Sequence, residues 1–215
     1  MFHLLDLIKE LQNDKSIARI IFNWHVEKYC RDMKGTVLDI ASGDASYYKY
    51  INQSYDKLIR ADYDANVRPD IALDFNKSFP FKDNEIDNIL FFGSIYIADR
   101  PEYTLGECKR VLKPGGAVYI NSPFIFNESR EPHDYYRFTS EKLEEMLKGA
   151  GFSDMQIIPM GERFTAASFL VGKFLFIPAL RFILYSSAIF LDKILPDKIK
   201  KLHPCPISYF CIAKK

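Results

Sequence analysis

The sequence predicts an α/β fold: a doubly wound, mostly parallel sheet of seven strands with helices on both faces. Three observations carry this. Short apolar, partly β-branched runs alternate with helical segments along most of the chain. Three of those runs close on an aspartate, at Asp39, Asp62 and Asp74. Gly- and Pro-containing turns mark the changes of period, as at Lys34-Gly35 and Lys113-Pro114-Gly115-Gly116.

The elements follow in order. Residues 3–12 and 16–31 carry apolar residues at three- and four-residue spacing (Leu4, Ile8, Leu11; then Ile17, Ile20, Ile21, Trp24), which predicts two helices. Thr36 to Ile40 is a buried strand. The turn Ala41-Ser42-Gly43-Asp44 leads into a helical stretch through Tyr50. Strands follow at Leu58–Ala61, Ile71–Leu73 and Ile86–Phe92, then a helix over 101–112 that Lys113-Pro114-Gly115-Gly116 stops. Ala117–Ile120 is the fifth strand, and Ser140 is the expected cap of a helix over 141–149. Met155–Pro159 is the sixth strand and Ile207–Ala213 the seventh. The expected organisation is a single domain: N-terminal helices over 1–35, a core over 36–160, an apolar helical insertion over 161–206 and the last strand over 207–215. Pro178 divides that insertion into two helices.

Composition narrows the function. The chain has 215 residues, 48% apolar and 27% charged, which suits one domain with a sizeable core. A formal charge of +1 gives no global reason to expect a nucleic-acid partner. Four cysteines without framework spacing read as free thiols in a reducing compartment, hence a cytoplasmic protein, and the N-terminus lacks the pattern of a signal peptide. Four scattered histidines predict no metal site.

In an open α/β sheet, ligands sit at the carboxyl ends of the strands. Here those ends carry Asp39, Asp62 and Asp74, and the first loop adds Gly43 and Asp44 but no Lys or Arg. A pyrophosphate would be repelled by such a loop, whereas a phosphate-free cofactor with an ammonium and a sulfonium group would be favoured. Asp62 follows Gly43 by a spacing that suits a carboxylate accepting two ribose hydroxyls. Taken singly, Asp39 is also the residue type of a helix cap, and Asp62 and Asp64 of a solvated turn.

Val37-Leu38-Asp39-Ile40-Ala41-Ser42-Gly43-Asp44-Ala45 resembles the first motif of class I S-adenosylmethionine-dependent methyltransferases. Leu73-Asp74-Phe75 and Phe79-Pro80-Phe81-Lys82-Asp83 are similar to that family's acidic loop and L-P-F-x-D segment. Ile86–Leu90 resembles its fourth strand, and Glu107 to Gly116 its E-x-x-R-V-L-K-P-G-G run. The resemblance spans about residues 36–152. It implies a Rossmann-like methyltransferase fold and S-adenosyl-L-methionine as cofactor. It also implies that Asp39, with the Ala41-Ser42-Gly43 turn, holds the methionine end, and that Asp62, with Tyr63 beside it, binds the ribose. Asp74 would accept from the adenine amino group, Phe75 would lie beside the ring, and Gly93 would line the cofactor. Two departures stand out. Ala41 and Ala45 replace glycines, where a positive φ costs roughly 1–2 kcal/mol. Ser94-Ile95-Tyr96-Ile97 stands where many relatives have V-L-E-H, so no general base is expected there.

The loop after the fifth strand contains Glu131-Pro132-His133-Asp134-Tyr135-Tyr136-Arg137-Phe138-Thr139. It resembles a bacterial methyltransferase subgroup often linked with cell-surface polysaccharide or glycan genes, which implies a small-molecule or glycan acceptor. His133 is the candidate general base for a hydroxyl acceptor, and Asp134 would orient it or bind a sugar hydroxyl. Tyr135 and Tyr136 suit stacking on a sugar ring, and Arg137 suits an anionic group. The competing reading is that Tyr136 and Arg137 only pin the loop to the next helix.

Three readings of the apolar segment 164–191 stay open: core or homodimer contact, membrane interface together with the lysines up to Lys201, or a roof over an apolar, lipid-linked acceptor. Two other functions stay open for the whole chain: a non-catalytic cofactor-binding module, and a nicotinamide-dependent oxidoreductase, which the acidic first loop disfavours.

Overall fold

The computed structural model describes residues 15–130, 133–172 and 174–215. The helix expected over 3–12 lies outside these residues, as do Glu131, Pro132 and Lys173. The described chain forms α1 (Ile17–Cys30), β1 (Thr36–Ile40), β2 (Lys57–Asp62), β3 (Ile71–Ala72), β4 (Ile86–Phe92), α2 (Pro101–Val111), β5 (Leu112–Pro123), α3 (Ser140–Gly149), β6 (Asp154–Met160), α4 (Arg163–Gly172), α5 (Pro178–Ile194), α6 (Asp197–Leu202) and β7 (Ser208–Lys214).

The strands make one seven-stranded sheet in the order β3-β2-β1-β4-β5-β7-β6. β1 pairs in parallel with β2 and β4, β2 with β3, and β4 with β5. β7 runs the other way: Gly115 N–H donates to the Lys215 carbonyl and Phe124 N–H to that of Ile207, so the start of β5 meets the end of β7. The sheet is thus the mostly parallel one expected. Its order reverses at β1, which is flanked by β2 on one side and β4 on the other. That reversal opens a crevice beyond the carboxyl ends of β1 and β4. β1 is buried along Val37–Ile40, and β4 is lined by the buried Ile86, Ile89, Leu90 and Phe91.

Three local expectations are corrected. The helical stretch through Tyr50 is only a short 3-10 turn, Tyr48–Tyr50. Ala45 adopts φ 51°, which no α-helix admits, and the hydroxyls of Tyr47 and Tyr48 both turn to Asp39. Lys113-Pro114-Gly115-Gly116 stops α2 but does not precede the strand; it is already part of β5. The ladder to Lys215 holds the two glycines there, and a register shift against β4 between Ile86 and Asn88 absorbs the irregularity. The cap of α3 is Thr139 rather than Ser140, its Oγ1 accepting from Lys142 N–H at 3.2 Å.

Two compact units can be distinguished. One comprises Val26–Pro123, Glu128–Ile158 and Tyr209–Lys215 and carries nearly the whole sheet. Among the described residues, the other comprises 15–25, Phe124–Asn127, 159–172 and 174–208. Within this second unit α4 and α5 are joined through Asp192. Its carboxylate accepts from the backbone N–H of Glu162, Phe164 and Thr165 and from the Thr165 hydroxyl, at 2.7 to 3.1 Å. It therefore caps the start of α4 from a distant helix. Pro178 stands at the first turn of α5, where a missing N–H costs nothing.

In the sheet unit, the Glu107–Arg110 pair on α2 is a clamp. Glu107 accepts from Phe79 N–H at 2.7 Å and Ser78 Oγ at 3.0 Å. Arg110 reaches the carbonyls of Phe79 and Phe81 and the Asp83 carboxylate while pairing with Glu107 at 2.8 Å. The two residues thereby fasten the Phe79–Asp83 loop to α2, and Arg110 holds the Glu107 carboxyl down at about 2. Arg110→Met should lower the unfolding free energy by roughly 2–3 kcal/mol, read by urea denaturation at neutral pH. Because the Glu107 pKa is depressed, the contribution is present above the ordinary glutamate range and fades as pH falls towards 2. An unchanged midpoint would show that the clamp carries no load.

Candidate cofactor and acceptor site

The crevice is furnished by the ends of β1, β2 and β4. Asp39, fourth residue of β1, is fully buried. Tyr47 and Tyr48 both donate to its Oδ2, the latter at 2.6 Å. Its Oδ1 has no partner among the described residues, nor does the buried hydroxyl of Ser42. Burial pushes the Asp39 carboxyl up to about 7 despite the two tyrosine hydrogen bonds that oppose it, and the charge of Asp62 adds to the rise. A buried carboxylate with one satisfied and one open oxygen fits a cationic hydrogen-bond donor.

The loop after β1 is shaped by φ values that favour glycine. Gly43 has φ 52° and Gly93, after β4, has φ 65°; nothing lies within 4 Å of where either Cβ would stand. Ala41 and Ala45 sit at φ 62° and 51°. The alanines therefore take the same left-handed turn that glycines would, with the strain retained.

At the end of β2, Asp62 organises the loop. Its Oδ2 accepts from Gly43 N–H at 2.8 Å and its Oδ1 from Asp64 N–H at 2.9 Å, which leaves further lone pairs on both oxygens. The first loop itself carries no Lys or Arg, but a basic group reaches it from the neighbouring strand. Arg60 on β2 folds back so that its Nη2 reaches the carbonyls of Gly43 at 3.3 Å and Val67 at 3.1 Å.

A cleft of about 370 Å³ is lined by Tyr63, Ala72, Leu73, Asp74, Lys77 and Pro80, among others. Tyr63 is 78% exposed and borders it. Phe75, next to Asp74, is buried against Phe91, with ring centroids 5.4 Å apart. The Thr104 hydroxyl on its carbonyl at 3.0 Å holds it there. Asp74 accepts from Asn76 N–H and pairs with Lys77 at 3.2 Å.

The loop after β5, the candidate acceptor loop, is pinned to the segment after β4. The backbone N–H groups of Tyr135 and Tyr136 both donate to the Tyr96 carbonyl at 3.2 Å, and Arg137 lies over the Tyr96 ring. The Asp134 side chain is only 3% exposed. Arg137 grips both its oxygens, Ser129 N–H adds a third bond at 2.8 Å, and together they hold its carboxyl below the usual range. Both Asp134 oxygens are thus engaged by groups other than His133. His133 is exposed and stacks on Tyr135 with centroids 5.2 Å apart. Tyr135 meets Tyr136, which stacks on the buried Phe138, so four rings form a ladder from core to solvent. Ser94–Ile97 contributes no titratable side chain except the Tyr96 phenol.

Sequence reasoning missed Tyr47, Tyr48 and Tyr96. The adjacent tyrosines just after the first loop were a usable signal, since a buried Asp39 needs donors.

Residues 38–120 match the family described as a methyltransferase domain. An uncharacterised protein of Methanocaldococcus jannaschii is 31% identical over an alignment that spans 36% of this chain and 43% of that protein, so the chain covers less than half of this curated relative. The crystal structure of an S-adenosylmethionine-dependent methyltransferase from Archaeoglobus fulgidus superposes with a TM-score of 0.61 at 16% identity, over 97% of this chain and 99% of that one. Phosphoethanolamine N-methyltransferase 2 of Haemonchus contortus, in complex with S-adenosyl-L-methionine, superposes with a TM-score of 0.60 at 20% identity, over 90% of this chain and 52% of that one. At these identities the two structures speak for the fold.

Asp39 yields a paired prediction. Its raised pKa means that the folded state holds an extra proton between the ordinary aspartate range and about 7; the associated stability is complete below that range and is lost as pH rises through 7. Asp39→Asn should therefore unfold at a higher temperature than the parent at pH 8, while binding S-adenosylhomocysteine at least ten-fold more weakly. Thermal unfolding and calorimetric titration check the two halves; a variant with undiminished affinity would contradict the assignment. Ala41→Gly should stabilise the chain by about 0.5–1 kcal/mol in denaturant titration by relieving the left-handed alanine.

Proposed function

We propose that this chain, which has the class I S-adenosylmethionine-dependent methyltransferase fold and carries a methyltransferase domain over residues 38–120, O-methylates a sugar or another small polar acceptor, free or lipid-linked. The observation that carries the reading is the open Oδ1 of buried Asp39 beside a glycine-like turn. S-adenosyl-L-methionine supplies, when bound, a methyl group activated by sulfonium. Asp39, Ser42 and Gly43 would hold its amino-acid end, Asp62 its ribose hydroxyls, and Tyr63 and Asp74 its adenine, with Gly93 leaving room beside β4.

On the acceptor side, the aromatic ladder gives a sugar ring a flat apolar surface at Tyr135 and Tyr136. A ring nitrogen of His133, at the exposed end of that ladder, takes the hydroxyl proton. Asp134 and Arg137 act on the acceptor through the loop they lock. Because methyl transfer is an in-line displacement, fixing that loop against Tyr96 contributes by orientation. The missing acid and histidine after Gly93 leave His133 as the base within this loop.

Incubation with methyl-labelled S-adenosylmethionine and a panel of free and lipid-linked sugars tests the reading. The expected result is label in a sugar fraction. Binding of S-adenosylhomocysteine with no transfer to any member would favour the non-catalytic module, and preferential binding of NAD would favour the oxidoreductase. With an accepted sugar, His133→Ala should lower turnover roughly a hundred-fold or more while S-adenosylhomocysteine affinity stays at the parent value. Full turnover in that variant would remove His133 from the chemistry.

A further inference from the structure

The helices of the second unit present a surface with no place in the chemistry above. α5 is apolar on two sides. Tyr185 and Ala188 are buried, whereas Ile177, Leu180, Ile183, Phe190 and Ile194 are exposed. These five recur at helical spacing and form one stripe, interrupted only at Ser187. Over its seventeen residues the helix extends about 25 Å. The turn between α4 and α5 adds Phe174 and Phe176, 74% and 87% exposed. Most of the exposed large apolar side chains among the described residues lie between Phe164 and Leu202. An exposed apolar patch of this extent marks a contact surface.

Charge decides between the occupants. From Arg163 to His203 the sequence has seven basic residues and two acidic ones, although the whole chain carries only +1. One of those acids, Asp192, is engaged in capping α4. Lys193, Lys198 and Lys201 are exposed at the end of the apolar stripe and along α6. A second copy packed symmetrically on this face would bring two basic surfaces together, at an electrostatic cost. An anionic lipid surface meets both properties at once.

We propose that α4, α5 and α6 dock in the plane of a membrane interface that contains anionic lipid. The apolar stripe and the Phe174–Phe176 turn enter the acyl boundary and the lysines meet the headgroups. No described helix is long and apolar enough to cross a membrane, so α5 lies along the surface rather than through it.

Flotation of the full chain with vesicles tests this. The chain should float with vesicles of two parts phosphatidylcholine to one part phosphatidylglycerol, remain behind with phosphatidylcholine alone, and be released by salt. Lys198→Gln with Lys201→Gln should weaken binding roughly thirty-fold. Phe176→Ser with Ile183→Ser should weaken it by about ten-fold or more. Both pairs replace exposed side chains and should unfold at the parent temperature. Failure of the parent to float with the mixed vesicles, equal flotation with both compositions, or parent-like flotation of both variants would overturn the proposal. A dimer in light scattering that the Phe176→Ser, Ile183→Ser pair dissociates would overturn it too, by assigning the face to a second copy.

Discussion

The site depends on one buried carboxylate that is half satisfied. Asp39 sits in the central strand, at the point where the sheet order reverses, and burial pushes its carboxyl up to about 7. Tyr47 and Tyr48 engage one oxygen and leave the other without a partner among the described residues. The neighbouring elements share that task. Gly43 opens the turn beside it, and Asp62 holds that turn through the Gly43 N–H. Arg60 backs it from β2. The alanines at positions 41 and 45 keep the turn in a left-handed conformation at a cost the surrounding contacts must offset. A polar atom left open at this depth is destabilising in itself, so its retention points to a ligand that completes it.

The segments that resemble methyltransferase motifs divide into those that touch the crevice and those that build it. Glu107 and Arg110 belong to the most specific run in the sequence, yet their side chains fasten the Phe79–Asp83 loop to α2 and lie apart from the strand ends. Asp134 and Arg137 repeat this arrangement in the acceptor loop. Their mutual grip, with Ser129 and the Tyr96 carbonyl, leaves the rings of His133, Tyr135 and Tyr136 as the groups that meet solvent. The loop reads from sequence as a row of reactive residues, but in the fold Asp134 and Arg137 lock it while His133, Tyr135 and Tyr136 face outward.

The mostly parallel seven-stranded sheet and the positions of its strands were legible because they follow from short-range pattern: apolar runs with fixed punctuation. What failed had a tertiary cause. A local helix after Asp44 was displaced by two tyrosines whose hydroxyls answer a buried acid. The strand over Leu112–Pro123 absorbed a Pro-Gly-Gly turn because Lys215, distant in sequence, ladders onto it. Asp134 next to His133 suggested a dyad, but Arg137 three residues on is a stronger partner for a carboxylate than an imidazole.

The most direct test of the central claim is the number of protons released when S-adenosylmethionine binds, measured calorimetrically at pH 7 in buffers of different ionisation enthalpy. If the ligand's ammonium completes Asp39, the parent should release about half a proton more than Asp39→Asn, because a carboxyl with a pKa of about 7 is half protonated before binding. Equal proton release from the two proteins would contradict the account and place the cofactor's charge elsewhere.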